Sequence, residues 1–247
     1  MAERERLDTV MVARGLAETR ARARDAILRG TVRVGGEVVE KPGQKVMPDA
    51  EIEAGDPAAA YVSRAALKLK AALAVFAIDV AGEIALDLGA STGGFTQVLL
   101  EAGVARVHAI DVGHGQLHPR IDADPRVRRR DGINARALTL DDLDGDTPAI
   151  IVSDMSFISL RLALPPALEL AAAGARGIFL VKPQFEIGRE GVGKKGLVEP
   201  KAAERTAREL ADWFDGQPGW SATGFELSPI AGGDGNREWL LAGRKHG

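Results

Sequence analysis

Cysteine is absent from all 247 residues, which excludes disulfides, thiolate metal centres and cysteine nucleophiles together and fits a reducing compartment. Aromatic residues are scarce at 4%, too few for a sheet surface that stacks bases over a row of exposed rings. A dominant charge of one sign is missing as well. Lys and Arg number 32 against 35 Asp and Glu, so any affinity for nucleic acid has to come from local patterning. Apolar runs stay short. LALPPALELAAAGA, among the longest, is interrupted by prolines, a charge and a glycine well before the roughly 20 residues of a membrane span. The opening MAERERLDTV has no apolar h-region and does not read as a secretory signal. With 45% hydrophobic residues the chain can bury a sizeable core, and a soluble cytoplasmic protein is expected.

Two parts differ in pattern. In residues 1–60, RLDTVMVARGL and TRARARDAILRG read as two short helices, the second stopped by Gly30, followed by the β-branched strands and glycine turns of TVRVGGEVVEKPGQKVMPDAEIEA. Six arginines (14, 20, 22, 24, 29 and 33) lie between Arg14 and Arg33 against two acids, Glu18 and Asp25. Such a helix suits the phosphate backbone of a nucleic acid, and equally an ordinary solvated face. AGDPAAAYVSR reads as a linker. Residues 61–247 then alternate apolar runs (EIALDLG, RVHAIDV, RVRRRDG, AIIVSDM, RGIFLVKP) with helix-length stretches, which predicts an α/β unit with a mostly parallel sheet covered on both faces. The tail, WSATGFELSP and NREWLLAGRK, predicts a terminal antiparallel pair of strands.

The first strand breaks into LDLGASTGGFT. A dinucleotide turn has the pattern G-x-G-x-x-G, and here Gly89-Ala90-Ser91-Thr92-Gly93-Gly94 lacks the middle glycine that lets a pyrophosphate approach. Asp87, two residues before Gly89, would repel a pyrophosphate and suit a ligand with a cationic amino group, such as S-adenosylmethionine. Ser91, Gly93, Gly94 and Phe95 complete the expected cofactor turn. Asp111 ends the second strand about 20 residues on, where an acid accepts ribose hydroxyls, and Asp131 after the third strand is an adenine-side neighbour.

Spacing alone singles out Asp154 and Lys182 for chemistry, since they end the fourth and fifth strands at the cofactor edge. A lysine that closes an apolar strand needs a cleft for its amine. Lys68 and Glu238 could each be a surface charge. QFEIGREGVGKKGLVEP follows Lys182, and its Arg189, Lys194 and Lys195 suit a loop that clamps RNA. His114 and His118 are spaced i, i+4, but no third ligand lies nearby, so a solvent-facing or cofactor-lining role is expected rather than a metal. Trp213, Trp220 and Trp239 read as core or strand anchors.

YVSRAALKL, LDLGASTGGFT, VSDMSFISL, LVKPQFE and GNREWLL, in this order, resemble the TlyA family of ribosomal RNA 2′-O-methyltransferases, in which an FtsJ-like catalytic domain follows an S4 RNA-binding domain. The resemblance runs over about residues 6–244. It implies a Rossmann-like methyltransferase domain with a seven-stranded, mostly parallel sheet, preceded by a small α+β S4-like domain. It also implies S-adenosylmethionine as cofactor and cytidines of 16S and 23S ribosomal RNA as substrate, while the residues themselves predict no metal and no membrane partner. The family tetrad Lys-Asp-Lys-Glu falls on Lys68, Asp154, Lys182 and Glu238. Lys182 would contact the 2′-hydroxyl, its pKa lowered by the nearby Lys68, with the two acids orienting the lysines. RNA contacts would involve Arg6, Arg20, Arg22, Arg24, Arg29 and Arg64 besides the loop cations. Ala65-Ala66 stands where many members carry two glycines. Three other readings compete with this one: a haemolysin (a label this family has carried), for which the sequence offers no membrane-inserting element; a non-catalytic RNA-binding assembly factor, against which the complete tetrad argues; and a nicotinamide dehydrogenase, disfavoured by the missing middle glycine and by Asp87.

Overall fold

A computed structural model describes residues 3–247; residues 1 and 2 of the expected 1–60 domain lie outside the described residues. The chain divides into two compact units, one ending at Ala60 and the other spanning Tyr61–Gly247.

In the first unit, β1 (Glu5–Arg6) pairs antiparallel with β4 (Lys45–Val46), and β2 (Val32–Val34) lies between β3 (Glu37–Val38) and β5 (Ile52–Ala54). The β2–β3 turn is Gly35-Gly36, both with positive φ, as the tightest hairpins require. Helices α1 (Leu7–Ala13) and α2 (Arg20–Leu28) cover the strands through Leu7, Val10, Met11, Ala23 and Ile27. The Thr19 hydroxyl caps α2 by accepting the Arg22 N–H.

The second unit starts with α3 (Ala66–Val75). The core then alternates β6 (Ile84–Leu88), α4 (Gly94–Glu101), β7 (Arg106–Asp111), α5 (Pro119–Asp122), β8 (Val127–Asp131), β9 (Ile150–Ser153), α6 (Leu160–Leu170) and β10 (Arg176–Val181). Helix α7 (Pro200–Asp215) leads to β11 (Trp220–Leu227) and β12 (Trp239–Lys245). The seven strands lie in the order β11-β12-β10-β9-β6-β7-β8, all parallel except β12, which runs antiparallel to both of its neighbours. The terminal pair is therefore the antiparallel hairpin that the sequence predicts, folded back so that β12 enters between β10 and β11.

Strand alternation sorts the two faces. Leu86, Leu88, Ile151, Phe179 and Val181 pack under α6 and α7, whereas Ala85, Val107, Ile150, Val152 and Ile178 pack under α3 and α4. Buried Ala203, Ala207, Leu210 and Phe214 recur at helical spacing along α7 and form its sheet-facing stripe. Pro165 and Pro166 interrupt the apolar run 162–175, yet both lie within α6 without ending it. Their missing N–H groups would have bonded the Arg161 and Leu162 carbonyls in the first turn, at the water-facing side where Leu162 is exposed, so water can take those carbonyls.

Phe214 is fully buried, with its ring 5.2 Å from that of Phe179 and 5.7 Å from that of Trp220. Gly243 accommodates it, since a Cβ there would fall 2.2 Å from the Phe214 ring. Phe214→Ala should destabilise the second unit by about 3–5 kcal/mol in urea titrations. A loss under about 1 kcal/mol would show that the aromatic triad does not anchor α7.

Candidate active site

At the carboxyl end of β6 the chain makes three positive-φ steps, at Gly89 (+77°), Ser91 (+47°) and Gly93 (+92°), before α4 starts. Gly89 lets the turn pass under the next loop, since a Cβ there would lie 3.0 Å from the Met155 side chain and 3.2 Å from its backbone. Asp111, at the end of β7, accepts the Ser91 N–H and the Gly113 N–H, both at 2.8 Å. One carboxylate thus joins the turn to the β7 loop and faces the space between them. Asp131, ending β8, accepts the Gly115 N–H at 2.8 Å and supports that loop from beneath.

These elements enclose a cavity of about 610 Å³ lined by Gly89, Ser91, Gly94, Phe95 and Asp111 on one side and Asn134, Asp154, Met155 and Lys182 on the other. Gly93, Asp131 and Asp87 are not among its lining residues. Asp87 points to the α4 face of the sheet, fully buried. Its Oδ2 accepts the Thr96 hydroxyl at 2.6 Å, and its Oδ1 is without a partner. It underpins the turn rather than facing the cavity.

Beside this cavity lies a second opening of about 380 Å³, lined among others by Gln184, Phe185, Val192, Asp234 and Glu238. Ser156, Phe157 and Lys182 line both. All four residues of the expected tetrad meet here, as two ion pairs. Lys68, on the first turn of α3, contacts Glu238 Oε2 at 2.5 Å, and both side chains are buried. Lys182, just past β10, lies 2.7 Å from Asp154 Oδ1 and donates to Ser156 Oγ at 2.8 Å. Burial pushes the Glu238 carboxyl above its ordinary pKa, partly offset by Lys68 and, more weakly, Lys182.

Sequence reasoning missed the residues around these pairs. Phe157 is 91% exposed with φ +68°, and its ring lies 5.3 Å from that of Phe185. An exposed aromatic in the left-handed region is costly unless used, and only its place in VSDMSFISL hinted at it. Asn236 is the other. It accepts the Val198 N–H and donates to the Gly196 carbonyl, which ties the end of the 188–197 loop to the turn before Glu238. On that loop Arg189, Lys194 and Lys195 are exposed. The Arg64 guanidinium lies near Gly233 in the same turn.

Residues 61–245 match the family of FtsJ-like methyltransferases and residues 5–52 the S4 domain. The chain is 43% identical over 243 residues to the 16S/23S rRNA (cytidine-2′-O)-methyltransferase TlyA of Mycobacterium tuberculosis, covering 98% of this chain and 90% of that protein. This chain belongs to the TlyA family. Hemolysin A of Brachyspira hyodysenteriae, another relative, is 36% identical over 240 residues, 95% of this chain and 98% of that one. A solved structure described as a hemolysin from Streptococcus thermophilus superposes with a TM-score of 0.72 at 39% identity, covering all of this chain and 90% of that one.

In this TlyA-family chain the arginines of the S4 domain divide by role. Through residue 60 there are ten Lys and Arg against eleven Asp and Glu, so the domain is not basic as a whole. Arg29 contacts Asp56 at 2.5 Å with both side chains largely buried, and Arg22 bonds Glu18 and the Ala58 carbonyl. Arg6 and Arg20 turn toward buried Asp8, which they hold at a pKa of about 2, Arg6 contributing most. Arg24 is exposed on α2. Of the other singled-out residues, His114 lies in the bend after β7 and His118 caps α5, so they share no helix, and both face solvent. Trp220 and Trp239 are buried in the sheet core, while Trp213 is half-buried under the Arg161 guanidinium.

Burial raises the Asp87 pKa to about 7, with the Asp154 and Asp111 charges adding to the shift and Thr96 opposing it. In the unfolded chain an Asp titrates near 3.9. Between about pH 4 and 7 the folded state therefore holds a proton that the unfolded state has lost, and stability from this group falls as pH rises through that window. Asp87→Asn should flatten the decline. Parallel slopes of wild-type and variant unfolding free energy across the window would rule out this account of Asp87.

Proposed function

We propose that this protein transfers a methyl group from S-adenosylmethionine to the ribose 2′-hydroxyl of cytidine in 16S and 23S ribosomal RNA, acting in the cytoplasm on ribosomal particles. The observation that carries the reading is the place of Lys182 and Asp154, which line the cavity at the glycine turn while Lys182 also lines the adjoining opening.

The residues present fit the cofactor. The cavity is cradled by Gly89 and by Gly94, where a Cβ would fall 2.8 Å from Ser63, and Asp111 is placed for ribose hydroxyls. When bound, S-adenosylmethionine supplies a methyl group made electrophilic by its sulfonium. The chain's own residues place the acceptor. The Lys182 ammonium grips the 2′-oxygen from the shared wall, and Asp154 orients that ammonium and stands ready to receive the hydroxyl proton. The buried Lys68–Glu238 pair fixes Glu238 in the wall of the adjoining opening. Holding oxygen and methyl in line accounts for most of the rate, since a well-oriented pair removes about 7–11 kcal/mol of barrier. Phe157 and Phe185 offer ring faces to an unstacked base.

The family's haemolysin name attaches to a different activity. Among the described residues no helix is long and apolar enough to cross a membrane, and the ion-paired tetrad favours the enzyme.

With tritiated cofactor and purified 30S and 50S subunits, wild-type protein should label ribosomal RNA. Lys182→Ala should lose at least about 100-fold in rate while binding the cofactor within about threefold of wild type. Unimpaired transfer by the variant would remove Lys182 from the chemistry, and label on neither subunit would remove the substrate assignment. In the S4 domain, Arg24→Ala should weaken RNA binding and lower its salt dependence with the melting temperature unchanged. Arg29→Ala should instead cost about 2 kcal/mol of stability by stranding Asp56. The converse pattern would reverse the two roles.

A further inference from the structure

Lys182 and Asp154 come from different loops, and something has to hold those loops in step. Lys182, Phe185 and Glu186 lie on the segment after β10, and Asp154, Ser156 and Phe157 on the segment between β9 and α6. β9 and β10 are paired only as far as Ser153 and Phe179, so beyond those residues no backbone ladder joins the two segments.

Glu186 crosses this gap. Its Oε2 accepts the Ser159 hydroxyl at 2.5 Å, and its Oε1 accepts the Leu160 N–H at 2.7 Å. The Leu160 amide belongs to the first turn of α6, whose N–H groups have no helical partner. The carboxylate thus fastens the Lys182 loop to the start of the helix that the Asp154 loop feeds, using both of its oxygens. Two weaker contacts lie on the active-site side of this clamp: Lys182 to Ser156 Oγ at 2.8 Å, and the tilted Phe157 and Phe185 rings. Each is between exposed or half-buried groups. Neither fixes a distance as a two-point carboxylate does. Glu186 itself is half-buried, and its desolvation raises its pKa, with the Ser159 and Leu160 donors opposing that shift. An acid kept in such a place at a cost to its charge has a positional use. Its distance from the openings also matters, because Glu186 lines neither.

We infer that Glu186 is a positioning residue for methyl transfer, a two-oxygen clamp between the Lys182 loop and the amino end of α6 that sets the Lys182–Asp154 distance and the spacing of Phe157 from Phe185. The inference rests on the proposed methyl transfer. It predicts that loosening the clamp changes turnover far more than cofactor affinity, because the glycine turn and Asp111, on the cavity's other side, belong to elements that Glu186 does not touch.

The test compares full-length wild-type protein with Glu186→Ala and Glu186→Gln. For the alanine variant kcat on ribosomal subunits should fall about 100-fold, the loss typical of a misplacement near 1 Å. KM for the RNA and Kd for S-adenosylmethionine should each move less than about threefold. The glutamine variant keeps a carbonyl for the Leu160 N–H and should recover most of the lost kcat. Should the alanine variant not fold, Glu186→Asp, shorter by one carbon–carbon bond of about 1.5 Å, should reproduce the selective kcat loss. A kcat within threefold of wild type for the alanine variant overturns the inference. So does a fall of kcat and cofactor affinity in step, which marks general loosening, and so does a glutamine variant as impaired as the alanine one. A crystal structure of the variant gives a readout free of activity: the Lys182–Asp154 contact should open from 2.7 Å by about 1 Å or more, and an unchanged contact overturns the clamp. If wild-type protein methylates no RNA, the proposed function fails, and the crystallographic distance still decides whether Glu186 sets the geometry.

Discussion

Val181 pairs with Trp239, and the site depends on that one step of register. Because β12 runs against β10, its beginning lies at the end of β10, where a parallel strand would have placed its far end. Lys182 and Glu238 are each one residue beyond the pair, so a lysine and a glutamate 56 positions apart arrive at the same edge of the sheet. A slip of one residue would turn Leu240 and Trp239 to opposite faces and move Glu238 away from Lys68. The register is enforced by burial on both faces. Phe179, Leu180, Leu240 and Leu241 are all nearly inaccessible, so a slipped pairing would have to repack the cores on both faces at once.

Two ion pairs at this edge carry different loads. The Lys68–Glu238 pair is almost completely buried and gains little net stability, because desolvating both charges offsets most of their attraction. Its worth is geometric. Removing either member would strand a buried charge, so the pair defines where α3 can lie relative to β12. The Lys182–Asp154 pair is less buried, opens onto both cavities, and can exchange its partners with a ligand. A rigid pair behind and an adaptable pair in front is the division that positioned chemistry requires.

The parallel strands were legible because the two-face burial of a doubly covered sheet leaves unbroken apolar runs such as IIV and GIFLV. The acids at strand ends, Asp111 and Asp154, were legible for the same reason: a charge after such a run marks where the sheet meets solvent. Lys68 and Glu238 were not, since a lone charge on an Ala/Leu helix or before a strand carries no periodic signal, and only the order of motifs singled them out. The direction of Asp87 was lost to strand alternation. It follows Leu86, which faces α6 and α7, so its side chain must face α4, where Thr96 meets it. Arg22 and Arg29 look like Arg24 in sequence, yet helical geometry turns them to Ala58 and Asp56, beyond the reach of local counting.

Backbone strain is also distributed with a pattern. Positive-φ non-glycine residues are costly, about 1–3 kcal/mol each, and persist where surrounding contacts overdetermine them. Of the five in the described residues, Ser91 lines the cavity at the glycine turn and Phe157 lines both openings. Ser91 is held by its N–H to Asp111, so an acid that lines the cavity also sustains the strain of the turn beside it. Phe157 has no comparable backbone bond. Its conformation is sustained by the loop around it, which the pairing of Lys182 with Asp154 and Ser156 closes on one side and Glu186 on the other. The highly exposed Phe157 ring therefore keeps its pose through the charged contacts beside it, so the strained step at Phe157 and the Lys182–Asp154 pair form one unit.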